Sequence, residues 1–131
     1  MIAVDATVLL RLLTRDDAGQ AGKAERVIAA AEAEGESVLV NDAVLAETMW
    51  TLARSFDASK PELLHTVRSL LATKTFAFES RPVVAHALEL YEGSSADFAD
   101  CVIVAKNASL GCVATLTFDR AMRGLPATRL L

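Results

Sequence analysis

The chain is 131 residues long and 53% hydrophobic, enough for one domain with a sizeable core and too short for a second domain of ordinary size. Its apolar runs fall far short of a membrane span and its start lacks the basic region, apolar segment and cleavage site of a signal peptide, so a cytoplasmic protein with no membrane partner is expected. A net charge of −4 argues against a generally basic, DNA-coating surface, although a local patch of Arg and Lys can still hold a nucleic-acid backbone. Cys101 and Cys112 lack the paired spacing of a zinc site and are expected to be reduced, buried packing residues.

Met1 to Val4 is a short apolar run that meets Asp5-Ala6-Thr7, and it reads as a buried strand with a carboxylate at its exit. Ligands of parallel sheets collect outside the C-terminal ends of the strands, which is where Asp5 stands, although capping of the next helix is the simpler account of a lone Asp there. That helix, Thr7 to Arg15, carries Val8, Leu9, Leu12 and Leu13 at helical spacing. Gln20 to Glu34 is rich in Ala, Glu, Lys and Arg and is expected to lie on the outside.

Ser37 to Val40 is a second buried strand, followed by Asn41 or Asp42 as the cap of a helix with Leu45, Met49, Leu52 and Phe56 on one stripe. Ser59-Lys60-Pro61 starts another helix, with Leu63, Leu64, Val67, Leu70 and Leu71 apolar. Thr75 to Phe78 is a third strand. Pro82 opens a helix that turns Val83, Val84, Ala87, Leu88 and Tyr91 inward, and Gly93-Ser94-Ser95 breaks it. Asp97 to Leu110 is a further helix. Cys112 to Thr115 is a fourth strand, Phe118 to Met122 a short helix, and Thr128 to Leu131 a fifth strand.

Strands alternating with helices imply a parallel sheet covered on both faces. The helices run back antiparallel to the strands, so helix starts and strand ends share one edge. Asp5, Glu47, Asp97, Asp100 and Asp119 all fall on it.

The helix from Asp97 is the anomaly, because Phe98, Cys101, Val102, Ile103, Val104 and Ala105 make its first half apolar nearly all round. Such a helix is normally buried, and a carboxylate within it, here Asp100, must be paired, hydrogen-bonded or bound to a metal. Asp97 lies on the same side three residues earlier, where a cap serves as well as a ligand. Glu47 falls away from the apolar stripe of its helix, where solvated glutamates normally stand, and turn formation explains Asp119 as readily as chemistry does. His65 and His86 read as ordinary helix residues, and neither a nucleophile triad nor a glycine-rich phosphate loop is present.

Val-Asp at the first strand's end, Ala-Glu in the third helix, Ala-Asp-Phe-Ala-Asp-Cys-Val-Ile-Val-Ala, and Thr-Phe-Asp-Arg follow one another in an order that resembles the PIN-domain family, most of all the VapC-type toxins of bacterial toxin–antitoxin pairs. The resemblance implies a single domain over residues 1–131. Its fold is α/β, a three-layer, Rossmann-like arrangement with a central, mostly parallel sheet of about five strands flanked by helices. The implied activity is a magnesium-dependent ribonuclease with Asp5, Glu47, Asp100 and Asp119 at the family's four acidic positions. Asp97 matches a further acid of this branch, and Thr7 and Thr117 stand where hydroxyls support the first and last acids. A VapB-type antitoxin and a homodimer are implied as partners, beside RNA as substrate.

Carboxylates without histidine or thiolate suit Mg²⁺, or Mn²⁺, and leave coordination positions to water and phosphate, with Asp5 and Asp100 as the first choices for direct ligands. Aspartate-nucleophile phosphatases also place an Asp after the first strand, but they need a second acid two residues on, and that position is Thr7. A non-catalytic interaction module and a metal-dependent nuclease acting on DNA are the alternatives to a ribonuclease.

Overall fold

Six short polar side chains start the six helices in the computed structural model, which describes residues 1–131. Asp5, Asp17, Asn41, Ser59, Ser80 and Asp97 each accept the backbone N–H three residues on, satisfying a donor that the first helical turn leaves without an intrahelical partner. The chain divides into two compact units, Met1–Glu79 and Ser80–Leu131.

The first unit holds β1 (Ile2–Ala3), α1 (Ala6–Thr14), α2 (Ala18–Glu34), β2 (Val38–Val40), α3 (Asp42–Ser55), α4 (Lys60–Ala72) and β3 (Phe76–Phe78). The strands pair in parallel in the order β1-β2-β3, with Ile2 beside Val38 and Val38 beside Phe76. Leu9, Val38, Val40, Leu45, Met49 and Val67 are sealed from solvent and form its core. Gly35 ends α2 at φ 67°, a left-handed conformation in which a Cβ is strained. At the start of α4, Ser59 and Glu62 exchange two hydrogen bonds, the Ser59 hydroxyl accepting from Glu62 N–H and the Glu62 carboxylate from Ser59 N–H, both at 3.2 Å.

Three features of this unit differ from expectation. The first strand is not buried, since β1 is a two-residue edge strand with a neighbour on one side only, and Ile2 and Ala3 are exposed. The buried face of α1 is Ala6, Leu9 and Leu10, while Leu12 is half-buried and Leu13 exposed. Phe56 is the C-terminal cap of α3 at φ −121°, so it leaves the stripe that Leu45, Met49 and Leu52 continue, and it is exposed.

The second unit holds α5 (Arg81–Glu92), α6 (Phe98–Ser109), β4 (Thr115–Thr117), a short 3-10 helix (Arg120–Met122) and β5 (Thr128–Leu130). The inward face of α5 is the expected one, Val83, Val84, Ala87, Leu88 and Tyr91. It packs on α6 through Phe98, Cys101, Val102, Val104 and Ala105, and the Tyr91 and Phe98 rings meet edge to face with centroids 5.6 Å apart. Strands β4 and β5 pair in parallel, Thr115 beside Thr128 and Thr117 beside Leu130, as a two-stranded sheet separate from the first.

The fourth strand begins three residues later than expected, at Thr115 instead of Cys112. The turn that closes α6 uses Leu110, Gly111 and Cys112, whose amides return to carbonyls of Lys106, Asn107 and Ala108. Cys112 is exposed as a result, a correction to its expected burial, whereas Cys101 is fully buried. In a two-stranded sheet each strand has a single neighbour, which leaves Val113 at 87% and Phe118 at 81% exposure on either side of β4. The protein is thus an α/β chain whose five short strands all pair in parallel. No helix is long and apolar enough to cross a membrane.

Candidate active site

The half-buried position expected for Asp100 is where the structure places it, in the first turn of α6. Asp97 caps the same helix, its Oδ1 accepting Asp100 N–H at 2.9 Å. Burial first, then the charge and hydrogen bond of Asp97, then the charge of Asp119, push the Asp100 carboxyl up from 3.8 to about 6. Adjacent carboxylates resist joint ionisation, so Asp100 keeps its proton to a higher pH than a free carboxyl does. Burial, with Cys101 and Asp97 behind it, also raises the Tyr91 phenol.

Asp119 joins this cluster because β4 ends at Thr117 and the chain turns at once. Its carboxylate accepts Ala121 N–H at 2.9 Å, capping the 3-10 helix, and its own N–H donates to Thr117 Oγ1 at 2.9 Å. Thr117 thus supports the backbone of Asp119 and not its carboxylate, and its hydroxyl donates to Met122 Sδ at 3.4 Å. Within the second unit, Asp100 therefore feels the charge of both Asp97 and Asp119.

In the first unit, Asp5 stands at the C-terminal end of β1 and caps α1. Its Oδ1 accepts the Thr7 hydroxyl at 2.6 Å and Val8 N–H at 3.2 Å. These bonds, the Thr7 hydroxyl foremost, hold the Asp5 carboxyl below the ordinary value and so keep it ionised. Capping and a hydroxyl-supported carboxylate are thus both true of this residue. Thr7 also lines a cavity of about 390 Å³ whose apolar wall is Ile2, Val4, Val8 and Val27 and whose polar groups include Arg11, Gln20 and Lys23. Glu47 lies on the exposed face of α3, as the helical pattern requires.

Two features escaped the sequence reading. Glu79, just after β3, accepts Asp42 N–H at 2.9 Å, and the Asp42 side chain is buried at the start of α3. Further along α3 the Arg54 guanidinium stacks 5.1 Å from the centroid of the Trp50 ring. The four-residue spacing of Trp50 and Arg54 was the available signal for that pair.

The donor set of the second unit is all carboxylate oxygen, which fits a hard divalent cation. Within either unit, no three His, Cys, Asp or Glu side chains converge on a common ion position.

Compared with known protein families, the chain matches the PIN domain over residues 2–127. No curated protein matches it.

Proposed function

From the premise that this chain belongs to the PIN domain family, whose members are generally divalent-metal-dependent nucleases that bind nucleic acids, we propose that it is a magnesium-dependent ribonuclease acting as the toxin of a VapC-type toxin–antitoxin pair. The observation that carries this reading is the cluster of Asp97, Asp100 and Asp119 around a carboxyl raised to about 6. Perturbed carboxylates at the ends of parallel strands and starts of helices are where such folds place their chemistry. The reading takes both units as one PIN domain and assigns catalysis to Asp5, Glu47, Asp100 and Asp119.

Asp100, flanked by Asp97 and Asp119, and Asp5 are the residues assigned to hold Mg²⁺ or Mn²⁺. A divalent cation bound there supplies Lewis acidity for hydrolysis of a phosphodiester and offsets the charge that develops on it. The chain's own residues set the charge state. Thr7 and Val8 keep Asp5 ionised, while burial first, and then Asp97 and Asp119, hold the Asp100 carboxyl up at about 6. Asp119 is aimed by its own capping bond to Ala121 N–H. Glu47 enters through its place in the motif order and its exposure on α3.

A VapB-type antitoxin, encoded alongside, and a homodimer complete the reading, with the antitoxin laying an apolar segment in a groove and a basic side chain against the acids. A second reading, a non-catalytic interaction module, draws on one observation, that no three acids within either unit converge on an ion position.

The test is incubation with total RNA, defined RNAs and single-stranded DNA, with Mg²⁺ and with chelator, followed by mapping of the cut ends. Metal-dependent RNA cleavage that Asp5→Asn and Asp100→Asn abolish in folded protein is the expected result. Near-wild-type cleavage in either variant removes that acid from the mechanism, and binding of RNA without cleavage favours the interaction module. A peptide from the neighbouring small open reading frame should inhibit cleavage.

A further inference from the structure

Helix α3 buries Leu45, Thr48, Met49 and Leu52 and turns Ala43, Glu47, Trp50, Ala53 and Arg54 to solvent. Trp50 is 48% exposed, and it is the only tryptophan in the chain. On a helix its surface neighbours are the residues three and four positions away. Those are Ala46 and Glu47 on one side, Ala53 and Arg54 on the other. About half of the indole is open to solvent, and the Arg54 guanidinium lies over the ring 5.1 Å from its centroid.

We propose that Trp50 and Arg54 form a base-stacking platform for single-stranded RNA on the face of α3 that carries Glu47, so that Trp50 takes a nucleobase and Arg54 an adjoining phosphate. The proposal rests on the ribonuclease reading for the role of Glu47 and deepens it by naming how substrate is seated. Three properties of the stripe favour a nucleic acid as its occupant. Every base offers a π-face to an indole, so stacking is strong and tolerant of sequence. A stacked guanidinium keeps its in-plane N–H donors free for a phosphate, which it recognises better than a lysine does. Glu47 lies three residues, one helical turn, from Trp50, so a base on the ring brings its strand past the acid. In a chain of net charge −4, Arg54 is the one cation on α3, so the strand is held by a single phosphate contact and by stacking on the ring instead of by a basic patch.

The single tryptophan makes the test direct. In chelator, where no cleavage occurs, single-stranded oligoadenylate titrated into the full chain should quench Trp50 emission saturably. Trp50→Ala should weaken oligonucleotide binding about tenfold by fluorescence anisotropy of a labelled strand, with Trp50→Phe recovering much of the loss. Arg54→Gln should lower the salt dependence of log K by about one released counterion. With Mg²⁺, the Trp50→Ala defect should fall mainly on KM, the opposite of Glu47→Gln, which should fall mainly on kcat.

Emission indifferent to oligonucleotide, with Trp50→Ala binding as tightly as wild type, overturns the platform whether or not the protein cleaves. Quenching without cleavage under any divalent cation supports the platform and ends the ribonuclease reading. Emission that shifts with protein concentration alone, together with a dimer in sedimentation that Trp50→Ala dissolves, overturns the platform in favour of an interface between copies of the chain.

Discussion

Replacing Asp100 by Asn should make the metal-free protein more stable at neutral pH. The carboxyl is displaced upward, from 3.8 to about 6, by burial, then by Asp97 and Asp119. A pKa higher in the folded than in the unfolded chain means that folding favours the protonated form. The stabilising contribution is therefore fully present below about 3.8 and lost as pH rises through about 6. At about 1.4 kcal/mol per pH unit the displacement corresponds to about 3 kcal/mol. Asp100 is half-buried, and screening by solvent reduces this to about 1.5 kcal/mol. Asn keeps the shape, carries no charge, and offers Asp97 an amide N–H in place of the Asp100 carboxyl proton. For a chain of this size the gain raises Tm by about 5 °C. Melts of both proteins in chelator, followed by circular dichroism from about pH 4 to about pH 7.5, should show curves that coincide at acid pH and separate through the raised pKa. A variant that melts below wild type at neutral pH, or an offset that ignores pH, refutes the reasoning.

Thr7→Val removes the hydroxyl that does most to lower the Asp5 pKa, so the Asp5 carboxyl should titrate higher by NMR. Because a lowered pKa stabilises above the unfolded value and is lost as pH falls, the variant should also lose part of its stability advantage at neutral over acid pH, and an unmoved titration counts against the assignment. Asp119→Asn keeps the cap on Ala121 and removes a charge that raises Asp100, so Asp100 should titrate lower while RNA cleavage falls in a graded way, as it should in Glu47→Gln. Ser59→Ala removes the hydroxyl that accepts Glu62 N–H at the start of α4, leaving the bond from Ser59 N–H to the Glu62 carboxylate, at a cost of about 1 kcal/mol. Its Tm should fall by about 3 °C with cleavage unaffected, and an unshifted melt means that this cap contributes nothing.

Much of this was legible in the residues. All six helices were legible, with Asp5, Asn41, Ser59 and Asp97 recognisable at their starts while the caps Asp17 and Ser80 were missed, and α5 shows the cleanest pattern, all five of its expected inward residues being buried. Asp100 was legible because an acid in a helix apolar nearly all round has few ways to be satisfied. The strands were less legible. Runs of two or three residues have no measurable period, and an apolar run does not reveal how many neighbours it will have. The expected buried first strand is an edge for that reason, and β4 starts late because the end of α6 uses residues that look like strand formers. Phe56 fits the stripe of α3 in spacing but falls at its cap, where the helical period no longer applies. That Asp97, Asp100 and Asp119 lie near one another was legible from the edge that strand ends and helix starts share, whereas periodicity alone leaves Asp119 as a turn residue.

Asp5, Asp97 and Asp119 each commit Oδ1 to a backbone amide at the start of a helical turn. Asparagine can make the same bond, and it ranks with aspartate as a helix cap. A duplicated gene whose product drifted to asparagine at these three positions would encode a chain with its helix starts intact and three carboxylates of its candidate site neutralised. Selection on foldability alone would not notice the change. Silent descendants of such a chain should therefore be as well folded as the ancestor, and whether one is active would be told by the charge at its helix caps and not by its shape.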